Sequence, residues 1–235
     1  MKHAKRHPLI FGTIILTATG LITRVIGFFY RIYLSRLFGE EGMGIYQLLS
    51  PALSLSFSLT AAGYQTAISK YVAADSAKRP SGNLKPLLAG ISITLPLSLV
   101  TNAILFFSAD PIGIFLLKDH RTVPMLRILS FSVPFAALHA CINGYFYGKK
   151  KASVPALTQL LEQLARVSCV FLVTGADLAE GRTPSINAAV LGLTVGEIFS
   201  MLIALVCLYI HLYPDSSILS LQNICPSVPV YRDLL

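Results

Sequence analysis

Residues 19–34, "TGLITRVIGFFYRIYL", decide the fold class of this chain. The stretch is apolar enough to form part of a membrane-spanning helix, yet it carries Arg24 and Arg31. An arginine at the centre of a bilayer costs about 2.5–3.5 kcal/mol on insertion scales, and such residues usually face a bundle interior or a water-filled cavity. The stretch therefore predicts a membrane protein and also indicates where its polar interior lies.

The composition of the whole chain agrees with a membrane protein. Of its 235 residues, 54% are hydrophobic and 13% are charged, and the mean hydropathy is +0.67. Soluble domains average about 25% charged residues. A membrane crossing needs about 20 mostly apolar residues, and six stretches qualify: 9–38, 43–69, 86–108, 123–147, 154–175 and 187–212. We expect an all-α integral membrane protein whose residues 1–212 form a six-helix transmembrane bundle, followed by a cytoplasmic linker over residues 213–235.

The basic residues fall in alternate gaps between the spans. Lysine and arginine are concentrated before the first span, between the second and third spans, and at residues 149–151 between the fourth and fifth. The other gaps are acidic or balanced, as in "GEEG" at residues 39–42. By the positive-inside rule, we expect a multi-pass protein of the cell membrane with both termini in the cytoplasm. This distribution explains most of the net charge of +8, so the charge does not require a nucleic-acid partner.

The first span carries its polar residues on one side, which we call the arginine stripe. Its members step alternately by four and three residues, which keeps them on one helical face: Thr13, Thr17, Gly20, Arg24, Gly27, Arg31 and Ser35. Arg24 lies about 22 Å into the span at roughly 1.5 Å per residue. The structural alternatives are pairing with an acid and, for Arg31, snorkelling to the headgroups. We take Arg24 and Arg31 as candidate substrate-binding residues.

Other spans carry shorter polar faces. Gln65 belongs to a run of small and polar residues in the second span, for which hydrogen bonding between packed helices is the alternative to substrate binding. The fourth span has a short stripe of Ser132, Ala136, His139 and Asn143. In the fifth span, Glu162 and Arg166 are one turn apart in the order that favours an ion pair, and we expect a structural pair.

Glu197 in the sixth span has no close cation on its own helix. We expect it to pair with Arg24 or Arg127, or to titrate, and we count it with Gln65 among the candidates for substrate binding. The embedded groups, Arg24, Arg31, Arg127 and Arg166 against Glu162 and Glu197, leave two positive charges in excess. A cavity lined in this way attracts anions, and the planar guanidinium group suits phosphate oxygens.

Residues 23–48, "TRVIGFFYRIYLSRLFGEEGMGIYQL", resemble the first-helix signature of the multidrug/oligosaccharidyl-lipid/polysaccharide flippase superfamily. Within it, the chain most resembles the branch of stage V sporulation protein B and the polysaccharide-biosynthesis flippases. Further likeness lies in "SPALSLSFSLTAAGYQTAIS" at 50–69, "GYFYGKKK" at 144–151 and "PALTQLLEQLARV" at 155–167. The resemblance covers the whole chain.

The resemblance implies the N-terminal lobe of a two-lobed transporter. Such a transporter flips polyprenyl-pyrophosphate-linked saccharides, for example a peptidoglycan precursor, across the cytoplasmic membrane, with a role in cell-wall or spore-cortex synthesis. Arg24 then corresponds to the family arginine that is expected to meet the pyrophosphate, and Arg31 is the second candidate. Membrane lipid is the other implied partner.

The chain departs from the family pattern in two respects. Leu55 and Ser56 stand where the lipid II flippase branch is expected to carry arginines, which argues against lipid II as the substrate. Family members also have more spans, arranged in two related lobes. We expect this chain to be a fragment or split subunit that works with a missing C-terminal lobe or a complementary subunit, and the linker over 213–235 to lead towards that lobe.

Two other functions fit the sequence. The first is a cation-coupled multidrug exporter of the same superfamily, although such exporters usually need acids where the first helix here has arginines. The second is a membrane scaffold that does not transport. No catalytic, nucleotide-binding or metal-binding motif is visible, and the four cysteines show no CxxC spacing, so we expect neither an enzyme nor a cofactor or metal site.

Overall fold

The computed structural model of the chain describes residues 8–78 and 84–213, with side chains from residue 12 onwards and without those of residues 77 and 78. Over these ranges the chain forms helices and no strand, which confirms the predicted all-α fold. The predicted linker over 213–235 lies outside the described residues except for Tyr213. The helices are α1 (Pro8–Leu48), α2 (Ser50–Phe57), α3 (Gly63–Lys78), α4 (Lys85–Phe107), α5 (Ala109–Pro111), α6 (Thr122–Gly148), α7 (Ser153–Ala179) and α8 (Asn187–Leu212).

Five helical stretches within the described residues are long and apolar enough to cross a membrane. They are Gly12–Ser76, Lys85–Phe107, Thr122–Gly148, Ser153–Ala179 and Asn187–Leu212. The first contains 65 residues, about three times the length that one crossing needs. It therefore includes two of the predicted spans, and the chain is a multi-pass membrane protein.

Gly39 divides this long first stretch. Its φ of 71° is a left-handed conformation inside what is otherwise continuous helix α1, and glycine adopts it without the steric cost that a side chain would add. The chain turns here and continues as helix to Leu48. Met43 and Ile45 in this continuation are buried, so the segment after the kink packs against the bundle.

From Ser50 onwards, the second predicted span is built from three helical pieces. Between α2 and α3, residues Ser58–Ala62 form one turn of π-helix. The hydroxyl of Ser56 donates to the carbonyl of Ala52 at 2.8 Å, and that of Thr60 donates to the carbonyl of Ser56 at 2.7 Å. These local hydrogen bonds satisfy hydroxyl groups that would otherwise be costly in a bilayer.

The helices pack around α6 and α8. Helix α8 packs against both α6 and α7, α1 packs mainly on α7, and α3 and α4 pack on α6. The interior is apolar along α6, where Leu126, Leu129, Ile142 and Phe146 are almost fully buried. Among the described residues, α1 and α3 make no substantial contact with each other, so they flank the central helices on different sides.

Glycines allow the helices to approach closely at several positions, including Gly144, Gly192 and Gly196. A Cβ atom added at Gly144 would lie 2.6 Å from the backbone oxygen of Gln65, so α6 touches the backbone of α3 there. At Gly192 it would lie 2.9 Å from the backbone oxygen of Arg166, and at Gly196 it would lie 3.1 Å from that of Glu162. The α7–α8 contact therefore depends on small residues, as is common between membrane helices.

The two ends of the bundle differ in charge. At one end, arginines lie beside acids: Arg121 contacts Glu41 at 2.7 Å and Asp119 at 3.1 Å, and Arg182 contacts Asp177 at 2.9 Å. The hydrogen bonds from Arg121 hold the pKa of the Asp119 carboxyl below its ordinary value. The opposite end carries residues 149–151, three consecutive lysines. The predicted orientation was based on such a difference in charge between the two ends, through the positive-inside rule. The orientation itself stays a prediction.

Gly144→Ala should destabilise the bundle, although alanine favours a helix by roughly 1 kcal/mol over glycine. Its new methyl group would meet the backbone of Gln65, which cannot move aside as a flexible side chain could. Gly175→Ala is the matched control, because no atom lies within 4 Å of a Cβ at that position. We expect a lower melting temperature in detergent for the first variant and an unchanged or higher one for the second. Equal melting temperatures would contradict the close approach of α6 and α3.

Candidate functional site

The arginine stripe lies on an exposed flank of α1. Tyr30 and Leu34 are buried on the side of α1 that packs on α7, while Arg24 and Arg31 are exposed. At 100° per residue, the stripe adjoins this packed side and does not lie opposite to it. Within the described part of the chain, neither arginine forms an ion pair with an acid.

The stripe meets a polar face of α7 at one of its glycines. A Cβ atom at Gly27 would lie 3.6 Å from Nε2 of Gln163. Gln163 in turn accepts a long hydrogen bond of 3.5 Å from a guanidinium nitrogen of Arg166. Tyr46 gives a second link, because its hydroxyl lies within electrostatic reach of both Arg31 and Arg166. The arginine stripe therefore borders the polar side of α7 and not only the apolar exterior.

Three ionisable side chains come together where α6, α7 and α8 meet, and we call them the three-helix cluster. They are His139, Glu162 and Glu197, and one ligand atom of each lies within 4.8 Å of the others. Nδ1 of His139 is 3.7 Å from a carboxylate oxygen of Glu197. The side chains are only 10%, 17% and 18% exposed, in that order. The cluster is thus a group of titratable side chains that is largely enclosed by protein.

Hydrogen bonds hold His139 in position on both ring nitrogens. Asn143, one turn along α6, lies 2.8 Å from Nε2, and the hydroxyl of Ser200 on α8 lies 3.1 Å from Nδ1. Thr158 on α7 donates to the side-chain oxygen of Asn143 at 3.4 Å. Because three helices contribute, the ring orientation depends on the packing of all of them.

Arg166 connects the cluster to α1. One of its terminal nitrogens donates to Glu162 at 2.5 Å, so the two side chains form an ion pair across one turn of α7. Its Nε and the hydroxyl of Tyr30 on α1 are both buried without a hydrogen-bond partner among the described residues. The charge of Arg166 also acts on that tyrosine hydroxyl. A buried polar atom without a partner usually implies a bound water or ligand.

The expected partners of Glu197 were wrong. Arg127 contacts Asp110 at 2.6 Å and is 46% exposed, because it lies near the start of α6 and away from the interior. Arg24 is exposed on α1, and the neighbour of Glu197 is His139. With Arg127 removed from the embedded groups, three arginines face two glutamates, and the positive excess falls from two charges to one.

The other candidates have different surroundings. Gln65 is half-buried on α3, where its backbone contacts α6 at Gly144. The structure therefore does not bring the four candidates for substrate binding into one site. Arg24 and Arg31 lie on the stripe, Glu197 lies in the three-helix cluster, and Gln65 lies at the α3–α6 contact.

Sequence reasoning missed the role of His139. The histidine was noted in the short stripe of the fourth span, but its meeting with Glu162 and Glu197 depends on how three helices pack. The available signal was a pair of polar residues one turn apart, His139 and Asn143, in the second half of the fourth predicted span. The cluster is compact enough for a bound cation to contact all three side chains. The guanidinium of Arg166 already places a positive charge beside Glu162.

Arg166→Gln should destabilise the bundle markedly, because it leaves Glu162 and Glu197 close together without a compensating cation. Breaking a buried ion pair by removing one partner costs about 3–5 kcal/mol. The double variant Glu162→Gln/Arg166→Gln should regain most of the lost stability, since one carboxylate is removed as well. Thermal unfolding in detergent measures both effects.

Arg182→Gln is the control for this comparison. Its partners are Asp177 in the last turn of α7 and Glu180 just after it, and Arg182 itself is 61% exposed. Exposed pairs are worth about 0–1 kcal/mol, so this variant should unfold close to the wild-type temperature. A double variant no more stable than Arg166→Gln would show that the Glu162–Arg166 pair is not the interaction that matters.

Comparison with known proteins relates the sequence of this chain to one family. The family described as "Polysaccharide biosynthesis protein" matches residues 9–230. Stage V sporulation protein B of Bacillus subtilis (strain 168) is 36% identical over 197 residues, which are 83% of this chain and 38% of that protein. No solved structure matches the chain significantly.

Two further relatives come from the same organism. Lipid II flippase MurJ is 27% identical over 179 residues, covering 72% of this chain and 32% of the flippase. The uncharacterized membrane protein YabM is 27% identical over 164 residues, covering 70% of this chain and 30% of the relative. The chain thus spans between 30% and 38% of the length of these three curated relatives.

Proposed function

The chain belongs to the polysaccharide biosynthesis protein family, and we propose that it takes part in flipping a lipid-linked saccharide across the cell membrane. In this proposal, the arginine stripe binds the pyrophosphate that joins the saccharide to its polyprenyl chain. The observation that carries it is the position of Arg24, which is exposed at mid-span on α1 without an acidic partner among the described residues. An unpaired guanidinium at this depth is costly unless water or an anion reaches it.

The chemistry of the stripe supports a diphosphate more than a neutral sugar. Guanidinium groups donate paired hydrogen bonds that match phosphate oxygens. Arg24 and Arg31 are seven residues apart, or about 10.5 Å along a helix at 1.5 Å per residue. Gly20 and Gly27 lie beside them on the same stripe, and no atom lies within 4 Å of a Cβ at Gly20. A bulky headgroup therefore has room next to the two cations.

The names of two relatives are consistent with this substrate class. One is a stage V sporulation protein and another is a lipid II flippase. Leu55 and Ser56 occupy the positions where arginines are expected in the lipid II branch. We therefore propose a different polyprenyl-pyrophosphate-linked saccharide, with a role in cell-wall or spore-cortex synthesis.

Transport would need more helices than those described. Substrate sites of transporters built from structural repeats usually lie at the interface between two repeats. We propose that the stripe is one wall of such a site and that a second lobe or a complementary subunit supplies the other wall. In this arrangement the chain acts as a transporter component in the cytoplasmic membrane, with both termini in the cytoplasm, and not as an enzyme.

A cation-coupled multidrug exporter is the second candidate, and one observation favours it. Two carboxylates, Glu162 and Glu197, lie close together in the interior, and interior acids can bind cationic drugs. Against it, Arg166 already contacts Glu162, and the exposed flank of α1 carries arginines. The balance of charge therefore favours an anionic substrate.

Arg24→Ala should weaken binding of a polyprenyl diphosphate to the purified chain in nanodiscs by about tenfold to a hundredfold. This range corresponds to losing about 1.5–3 kcal/mol of hydrogen bonding to a charged group. Arg24→Lys should lose less, because it keeps the charge but not the paired donors. The corresponding polyprenyl monophosphate should bind more weakly than the diphosphate, and inorganic pyrophosphate should compete.

Arg36→Ala is the matched control, since Arg36 is exposed on the same helix but on its apolar flank, away from the stripe. We expect this variant to bind the diphosphate as the wild type does. If the Arg24 and Arg36 variants lose the same amount of affinity for the diphosphate, the effect comes from the charge of the surface in general and not from the stripe. Tighter binding of a cationic dye than of the diphosphate would instead support the exporter.

A further inference from the structure

The three-helix cluster has a charge that its own residues do not balance. Two carboxylates, Glu162 and Glu197, lie beside a single guanidinium, that of Arg166. With a neutral imidazole, one negative charge remains inside the bundle. An interior of low dielectric strongly disfavours an uncompensated charge, so the cluster favours taking up one positive charge.

The charged and titratable groups around the cluster come from every helix packed against it. Helix α6 contributes His139, α7 contributes Glu162 and Arg166, and α8 contributes Glu197. Helix α1 contributes four groups that interact electrostatically with these or with one another, Tyr30, Arg31, Tyr33 and Tyr46, and Cys169 on α7 interacts with Tyr30. Arg31 is exposed and so is better screened by solvent than the enclosed groups. It therefore does not remove the imbalance in the interior.

We propose that His139, Glu162 and Glu197 form a proton-binding site that takes up and releases one proton. Two carboxylates this close do not both stay ionised without a compensating charge, and they share a proton as a coupled pair. The amide nitrogen of Asn143 donates to Nε2 of His139, so the neutral ring carries its hydrogen on Nδ1, which faces both Glu197 and Ser200. A proton from water would bind to a carboxylate oxygen of Glu162 or Glu197 and return to water on release.

The geometry favours a proton over a metal cation. Arg166 contacts Glu162 directly, so a metal bound between the carboxylates would lie close to a fixed positive charge. Ser200 and Asn143 already engage the two ring nitrogens of His139, which leaves neither nitrogen free. A proton needs no further ligands and neutralises the cluster with a single charge.

A route for the proton is visible in the exposure of the cluster. Glu197 lies on the same side of α8 as the buried Ser200, Met201 and Ala204, and the exposed apolar residues of α8 lie on its other side. Its residual exposure of 18% is therefore directed between helices and not towards the exterior. Tyr30 supplies a buried hydroxyl, and Arg166 a buried Nε, neither with a partner among the described residues. Each therefore has an unused hydrogen-bonding capacity that a water molecule could satisfy.

Protonation would change how the cluster is connected. Nδ1 of His139 and the nearest oxygen of Glu197 are 3.7 Å apart, longer than a hydrogen bond. A proton on Glu197 would weaken both its attraction to the N–H at Nδ1 of His139 and its repulsion by Glu162. Because these residues are on three different helices, the uptake of one proton would alter the contact of α8 with α6 and α7.

The proposal rests on the cluster alone and does not require the lipid-linked substrate. Its test therefore uses the purified chain in nanodiscs without any saccharide, and infrared difference spectroscopy follows the carboxyl C=O stretch while the pH is varied. We expect a band of a protonated carboxyl group that appears and disappears as the pH is varied, at pH values at which exposed carboxylates stay ionised. Absence of any such band in the wild type would overturn the proposal.

Matched variants assign the band. Glu162→Gln and Glu197→Gln each leave one carboxylate against Arg166, so each should lose the band. Glu41→Gln should keep it, because the side chain of Glu41 is 76% exposed and paired with Arg121. Comparing two cluster variants guards against one of them failing to fold, which circular dichroism would reveal.

Two results would contradict the assignment. A band that persists in both cluster variants would place the proton elsewhere. A band that disappears when sodium is added at constant pH would make the cluster a metal-cation site. Loss of polyprenyl diphosphate binding in Arg24→Ala with the band intact would leave the proton site standing, so the two proposals can fail separately.

Discussion

Charge inside a bilayer must be balanced within the protein or by water, and this constraint organises the structure. Each embedded ionisable group in the described residues of α6, α7 and α8 lies beside another such group. Arg166 contacts Glu162, and His139 faces Glu197. The meeting of Glu162 on α7 with Glu197 on α8 requires these two helices to approach closely, which Gly192 and Gly196 permit. The polar interior and the small residues around it therefore depend on each other.

The positions of the spans follow from hydropathy, because a membrane helix needs a long apolar segment whatever it packs against. The predicted span 123–147 compares with α6 at Thr122–Gly148, and 187–212 coincides with α8. The first two spans differ more. Gly39 kinks α1 without ending the helix there, and α3 continues to Lys78 beyond the predicted end at residue 69. Kinks and helix ends depend on single backbone conformations, which hydropathy does not report.

The site was less predictable than the fold, because its members come from different helices. Glu162 and Arg166 share one helix, so their spacing alone indicates that they can meet. The meeting of His139 with Glu197 depends on how α6 packs on α8, and no local pattern encodes it. Arg127 shows the opposite error: it has an apolar sequence context, but it lies near the start of α6 beside Asp110. Depth along a helix and direction around it both decide whether a charge is embedded.

Two sets of groups that favour ligands of opposite charge adjoin in this structure. The arginine stripe favours an anion, and the three-helix cluster favours a positive charge. Gln163 lies at the contact between them, since it approaches Gly27 and also accepts from Arg166. Tyr46 lies within electrostatic reach of an arginine from each set, Arg31 and Arg166. The two sets of groups therefore adjoin at the contact of α1 with α7.

The central claim is that Arg24 faces water while its neighbour in sequence faces lipid. Its most direct test attaches a nitroxide spin label to a cysteine at residue 24 and, separately, at Val25, in a background without the native cysteines. The two positions have nearly the same depth, and Val25 is 55% exposed on the apolar flank. We predict that the label at residue 24 collides more often with a water-soluble nickel complex than with dissolved oxygen. We predict the reverse for the label at residue 25, because oxygen is more soluble in lipid. Oxygen favoured equally at both positions would place Arg24 among acyl chains and contradict the account.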